Sequence, residues 1–303
     1  MSAEIERYIQ AGTRENTRRS YKSAIEHFEA QWGGFLPATS ESVVRYLVAY
    51  ADTLSQNTLR LRLAALAQWH VSQGFPDPTK APMVKQVMKG IRTLHPQQAR
   101  QAEPLQLVSL AKCVGWLEQQ AAQAREHGQT GRMLKCLRDR ALVLIGFWRA
   151  FRSDELCRLS IDHIQARRGE GMQLFLPWSK GDRENTGTTY KAPALERLCP
   201  VEAYLDWITV AGLATGPVFR GIDRWGRMGE TALHPYSVAP ILRDALAGAG
   251  VDSEHYSSHS LRRGFANWAN RSGWDQKTLM SYVGWKDASS ALRYVDAQTR
   301  FIL

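Results

Sequence analysis

The sequence predicts a mostly helical protein in two domains, with one small antiparallel sheet in the second. Three observations carry this. Apolar residues recur at helical spacing along most of the 303 residues. A polar, proline-bounded stretch (HPQQARQAEP, 95–104) interrupts the pattern a third of the way along. A period-two segment lies between residues 171 and 192. The expected division is a helical domain over 1–95, a linker over 96–104 and a mixed, mainly helical domain over 105–303.

In the first domain, Asn16-Thr17 opens a helix with Tyr21, Ile25 and Phe28 inward. Ser40 is the expected cap of a second helix holding Val43, Val44, Leu47 and Val48. Ser55 or Asn57 caps a third, ended by Gly74 and the Pro76-Asp77-Pro78 cluster. Pro82 starts a fourth, running towards Leu94, in which Lys85, Lys89 and Arg92 form one basic face. A solvated face and a phosphate-tracking face are both compatible with that row.

After the linker a helical region spans 104–149, broken near Gly128–Gly131 and ending in the apolar run ALVLIGFW. MQLFLPW, SKGDRENTG and TTYKAP read as strand, loop and strand, with a further strand around 217–220. Helices are expected from Pro200 and near 234–249, 259–272, 275–283 and 287–299.

Composition narrows the function. Hydrophobic residues make up 44% and charged residues 22%, which excludes a disordered or collagen-like chain. No apolar run is long enough to span a bilayer, and the acidic N-terminus does not read as a signal peptide. Four scattered cysteines suggest neither a zinc site nor a disulfide framework, and free thiols fit a reducing cytoplasm. The net charge is +10. Residues 1–100 carry 13 basic and 8 acidic side chains and the remainder 26 and 21, so the excess is spread over the chain. A polyanion partner explains it through counterion release, although charge alone also allows a protein that is merely basic.

The chemistry sits in the second domain. His259 and Arg262 are three apart, so on a helix an imidazole and a guanidinium share a face. Trp285 follows Arg262 by 23 residues and Tyr294 follows Trp285 by nine. Upstream, Arg152 and Glu155 open a short helix after the apolar run, and Lys180 lies where the strand ending at Trp178 turns into its loop. Glu155 reads equally as an orienting group for the basic cluster or as a helix-start carboxylate favoured by the dipole.

This set, in the contexts FRSDEL, the hairpin lysine, HSLRRG, VGW and ALRY, resembles the active site of the tyrosine recombinases, the phage-integrase family. Most members carry His where this chain has Trp285; the variant with Trp is Cre-like. The resemblance is specific from about residue 140 to 294 and rests on layout alone before residue 100. It implies a helical core-binding domain followed by a tyrosine recombinase catalytic domain. It further implies a site-specific DNA recombinase whose Tyr294 attacks a phosphodiester. The product is a 3′-phosphotyrosine with a free 5′ hydroxyl, rejoined without ATP. Arg152 and Arg262 would hold the phosphate oxygens, His259 would be a base, Lys180 would protonate the departing 5′ oxygen and Trp285 would donate its N–H.

Family members grip duplex DNA and act as a homotetramer on two synapsed sites. They press a helix such as the third into the major groove, where Arg60 or Arg62, but not both from one face, reads bases. Arg263 is a further DNA-contact candidate, with a salt-bridged surface role as its alternative. No cofactor, metal or membrane is implied, and no ATP-binding loop is found. His255 and His259 lack a third ligand. Tyr282 and Tyr256 are weaker nucleophile candidates, better suited to a core. Nine residues follow Tyr294, fewer than the longer docking helix of many relatives, and the apolar Phe301-Ile302-Leu303 reads equally as a short docking peg or as a tail packed on its own domain; the short N-terminus speaks against binding separate arm-type sites. Integration, excision and resolution are all open. Type IB topoisomerase-like relaxation and catalysis-free DNA binding are the alternatives.

Overall fold

The structure is a computed structural model and describes residues 4, 7–8, 12–13, 15–97, 101–178, 186–285 and 287–288. The chain divides into two compact units, Met1–Arg100 and Gln101–Leu303.

The first unit is a bundle of α1 (Glu15–Glu26), α2 (Ser40–Ala49), α3 (Gln56–Ser72) and α4 (Pro82–Leu94). α1 continues into a π-helical turn over His27–Gln31, in which His27 and Phe28 are buried. The core is Phe28, Val43, Tyr46, Leu47, Leu59, Leu66, Val84 and Ile91. Thr39, not Ser40, caps α2, its hydroxyl accepting from Ser42 N, and Ser55 caps α3. His70 is buried in this unit with both ring nitrogens engaged. Nδ1 lies 2.7 Å from Leu66 O, and Nε2 accepts from Ala38 N at 2.8 Å.

The second unit is built around α6 (Thr130–Trp148), which packs against α5 (Leu107–Glu126) and α8 (Pro200–Val210). Every residue from Ala141 to Trp148 is buried, which is why the run is apolar all round. Its further α-helices include α7 (Ser153–Cys157), α9 (Val238–Gly248), α10 (Ser258–Arg271) and α11 (Gln276–Val283). The sheet is β1 (Ile164–Arg167), β2 (Gly171–Leu176) and β3 (Thr188–Ala192), antiparallel in that order, with Leu174 opposite both Ile164 and Tyr190. Met172, Leu174 and Leu176 point inward from β2, as the alternation requires. A separate hairpin pairs β4 (Arg220–Ile222) with β5 (Met228–Ala232). β1 and β5 are strands beyond those read from the sequence, and the strand expected around 217–220 lies at 220–222.

Residues 101–104, read as the end of a linker, are bound to the second unit: Glu103 N donates to His255 O and Leu105 N to Ser260 O. Gly264 on α10 lets that strand of backbone close in, because a Cβ there would collide with Leu105 O and Phe147.

Candidate active site

The C-terminal end of α6 and the residues just after it organise the site, with Trp148, Ala150 and Arg152 tying in different elements. Trp148 O accepts from Tyr282 Oη on α11 at 2.8 Å. Ala150 takes a left-handed conformation (φ 50°), uncommon for a residue with a Cβ, and its carbonyl accepts from Arg262 Nη1 on α10 at 2.6 Å. Arg152 is the N-cap of α7. Such strain clusters where surrounding structure fixes a functional geometry.

Glu155 sits at the centre. Its Oε2 accepts from Arg152 N at 2.9 Å, which closes the first turn of α7, and its Oε1 accepts from Arg152 Nη1 at 2.6 Å. The same carboxylate lies 3.8 Å from Arg262 Nη1. Both readings of Glu155 therefore meet in one geometry: it caps a helix and bridges two guanidiniums. Glu155 and Arg262 are 3% and 1% exposed, whereas the Arg152 side chain retains 28% exposure. The buried pair is anchored and Arg152 faces outward.

α10 starts where it does because Ser257 and Ser260 form a reciprocal cap, and Ser257 Oγ also accepts from His259 N. That places His259, exposed, one turn from buried Arg262 on the same face. Gly284 ends α11 in the left-handed region, with Gly284 N and Trp285 N both donating to Met280 O. The turn drops buried Trp285 against Arg262, its ring centre 5.1 Å from Arg262 Cζ.

Arg152, Glu155, Arg262 and Trp285 thus form one connected cluster, with His259 on the adjoining turn. Lys180 and Tyr294 lie outside the described residues. A cationic pair held by one carboxylate is suited to bind the oxygens of a phosphodiester. Among the described residues no group of His, Cys, Asp and Glu side chains could hold a metal ion.

Residues 118–300 match the family model described as the phage integrase family. The chain belongs to the phage integrase family. It is a tyrosine recombinase, an enzyme of site-specific recombination. It is similar to an integrase/recombinase xerD homolog of Selenomonas ruminantium, 29% identical across 98% of this chain and 86% of the relative. It is also similar to the recombinase cre of Escherichia phage P1, 24% identical across 86% of this chain and 77% of the relative. Its fold is shared with the Tn1549 transposon integrase, solved in complex with transposon right end DNA. That structure has a TM-score of 0.64 at 14% identity and covers 98% of this chain and 94% of its own.

Other residues of this phage integrase family member fall as follows. Tyr282 is packed on Phe265 and bonded to Trp148, and Tyr256 is buried, its hydroxyl pushed up in pKa by burial. Both have core roles. Arg263 is 7% exposed and donates to Gln101 Oε1. Arg62 turns inward and donates to Ser23 O at 2.9 Å, joining α3 to α1, while Arg60 is exposed. Lys85, Lys89 and Arg92 are exposed on α4, on a different face from buried Val84 and Ile91. Burial pushes the thiols of Cys113 and Cys157 up to about 12, which makes them inert. Among the described residues no helix is long and apolar enough to cross a membrane.

Arg149, which in the sequence is only a cation set directly against an apolar run, is buried just after the end of α6.

Proposed function

We propose that this recombinase cuts and rejoins duplex DNA at a specific site through a 3′-phosphotyrosine. The observation that carries the reading is the convergence of Arg152 and Arg262 on one buried carboxylate, with Trp285 against Arg262. Two guanidiniums so fixed meet the extra negative charge of the five-coordinate phosphorus without reorganising.

Tyr294 Oη attacks the phosphorus, and its proton passes to His259. As the P–O5′ bond breaks, the 5′ oxygen takes a proton from Lys180. Glu155 orients both arginines. The free 5′ hydroxyl of a partner strand then attacks the phosphotyrosine and releases Tyr294, so bond energy is conserved and no cofactor is needed. The helical unit contacts the duplex through Lys85, Lys89, Arg92 and Arg60, and Arg62 serves structure. The working form is a homotetramer on two synapsed sites, in the cytoplasm of a bacterium or encoded by a phage. The topoisomerase-like alternative is not favoured, because the relatives are recombinases by name.

The test uses a nicked duplex whose cut strand loses its 5′ end by diffusion, built on a site obtained by binding selection from random sequence. Wild-type protein accumulates a covalent adduct. Arg152→Ala and Arg262→Ala bind the duplex but lower adduct formation by about 10²–10³-fold. Unimpaired adduct formation in both variants would remove the reading.

A further inference from the structure

Arg149 is buried, 2% exposed, and no carboxylate lies within ion-pairing distance among the described residues. Its Nη1 donates to Lys191 O on β3 at 3.0 Å, and its Nη2 to Tyr282 O on α11 at 2.6 Å. The guanidinium lies over two aromatic rings, its Cζ 3.8 Å from the Tyr282 ring centre and 5.0 Å from that of Tyr190. Burial lowers its pKa. Removing a cation from water without a counter-ion is expensive, and an apolar residue of similar volume would fill the space at lower cost. The planar fork does what an apolar residue cannot: it holds two carbonyls of different elements at a fixed separation.

One of those carbonyls leads directly to the site. Tyr282 is gripped at its carbonyl by Arg149, at its hydroxyl by Trp148 O and on its ring by the guanidinium. Three residues later, after the tight Gly284 turn, Trp285 meets Arg262. Arg149 itself stands three residues before Arg152.

We propose that Arg149 is a positioning residue for strand cleavage: by bridging Lys191 O and Tyr282 O it sets Trp285, and through it Arg262, at the place the scissile phosphate requires. The inference rests on the reading that Arg262 and Trp285 hold a non-bridging phosphate oxygen. It goes beyond that reading in assigning a residue that does not touch the phosphate.

The test compares single-turnover cleavage of the nicked duplex with that of the same duplex carrying a methylphosphonate at the scissile position. A methyl group in place of a non-bridging oxygen removes the charge that Arg262 and Trp285 would neutralise. Arg149→Met is expected to slow phosphodiester cleavage by about 10²-fold, the scale of a small misplacement of catalytic groups. It is expected to slow methylphosphonate cleavage by less than about 10-fold, because less of the lost stabilisation is needed there. Equal slowing on both substrates would mean a general structural defect and overturn the inference, as would no slowing on the phosphodiester. If Arg149→Met does not fold, Arg149→Lys carries the same comparison, since one ammonium cannot reproduce the planar fork. Its expected loss is smaller and again confined to the charged substrate; wild-type rates, or equal losses, would overturn the inference. Arg262→Ala run in parallel separates the two levels. If Arg262→Ala shows no substrate dependence, the phosphate-holding reading has failed. If it does and Arg149→Met does not, only the positioning role has failed.

Discussion

Glu155 shows how much one side chain can be asked to do. Its two oxygens close a helix turn, pair with the outward Arg152 and lie beside the buried Arg262. Removing one partner of a buried charge network leaves the others uncompensated, which is far more damaging than never having had the network. Glu155→Ala is therefore expected to lower folding stability by about 3 kcal/mol, measured by denaturant unfolding. Glu155→Gln should recover part of that, since an amide oxygen can still accept from Arg152 N. Equal stability of both variants with wild type would show that the carboxylate is idle. At this scale the sequence was half informative. The spacing of His259 and Arg262 and the pairing of Arg152 with Glu155 were legible because helical periodicity alone puts them together. The carbonyls that fix Arg149 and Arg262, at Lys191, Tyr282 and Ala150, belong to backbone far away in the chain and leave no trace in residue type.

Among the elements, α1 and its π-helical extension carry a pH dependence. His27 is buried, with Nδ1 2.9 Å from Tyr46 Oη, and burial together with the nearby Arg62 holds its pKa below the ordinary value of 6.5. The unfolded chain therefore binds this proton more readily than the folded one. Stability from this group is complete above about pH 6.5 and declines as pH falls below it. Unfolding of the full chain at pH 7.5 and 5.5 checks this: the acid-induced loss should be smaller in His27→Gln than in wild type, and an unchanged loss would assign it to other groups. Elements with strong local signals were read correctly, such as α4 between Pro82 and Leu94 and the alternating β2. The strands β1 and β5 escaped because they are short and largely exposed, so tertiary pairing and not an inward apolar alternation defines them. The helix expected over 287–299 lies almost wholly outside the described residues.

For the whole molecule, the charge excess and the exposed basic row on α4 make a quantitative demand. Each phosphate neutralised contributes about −0.9 to the slope of log affinity against log salt. Replacing Lys85, Lys89 and Arg92 with Ala should reduce that slope by about 2–3 while affecting different duplex sequences alike. An unchanged slope would make α4 a solvated face. If the cluster at the end of α6 serves a phenolic nucleophile, the cut strand becomes attached to Tyr294 itself. The covalent adduct trapped on the nicked duplex is digested, and the peptide carrying the nucleotide is identified by mass spectrometry. The expected result is a 3′-phosphoryl group on Tyr294 and no adduct from Tyr294→Phe. A nucleotide on Tyr282 or Tyr256, or an adduct that persists in Tyr294→Phe, would contradict it.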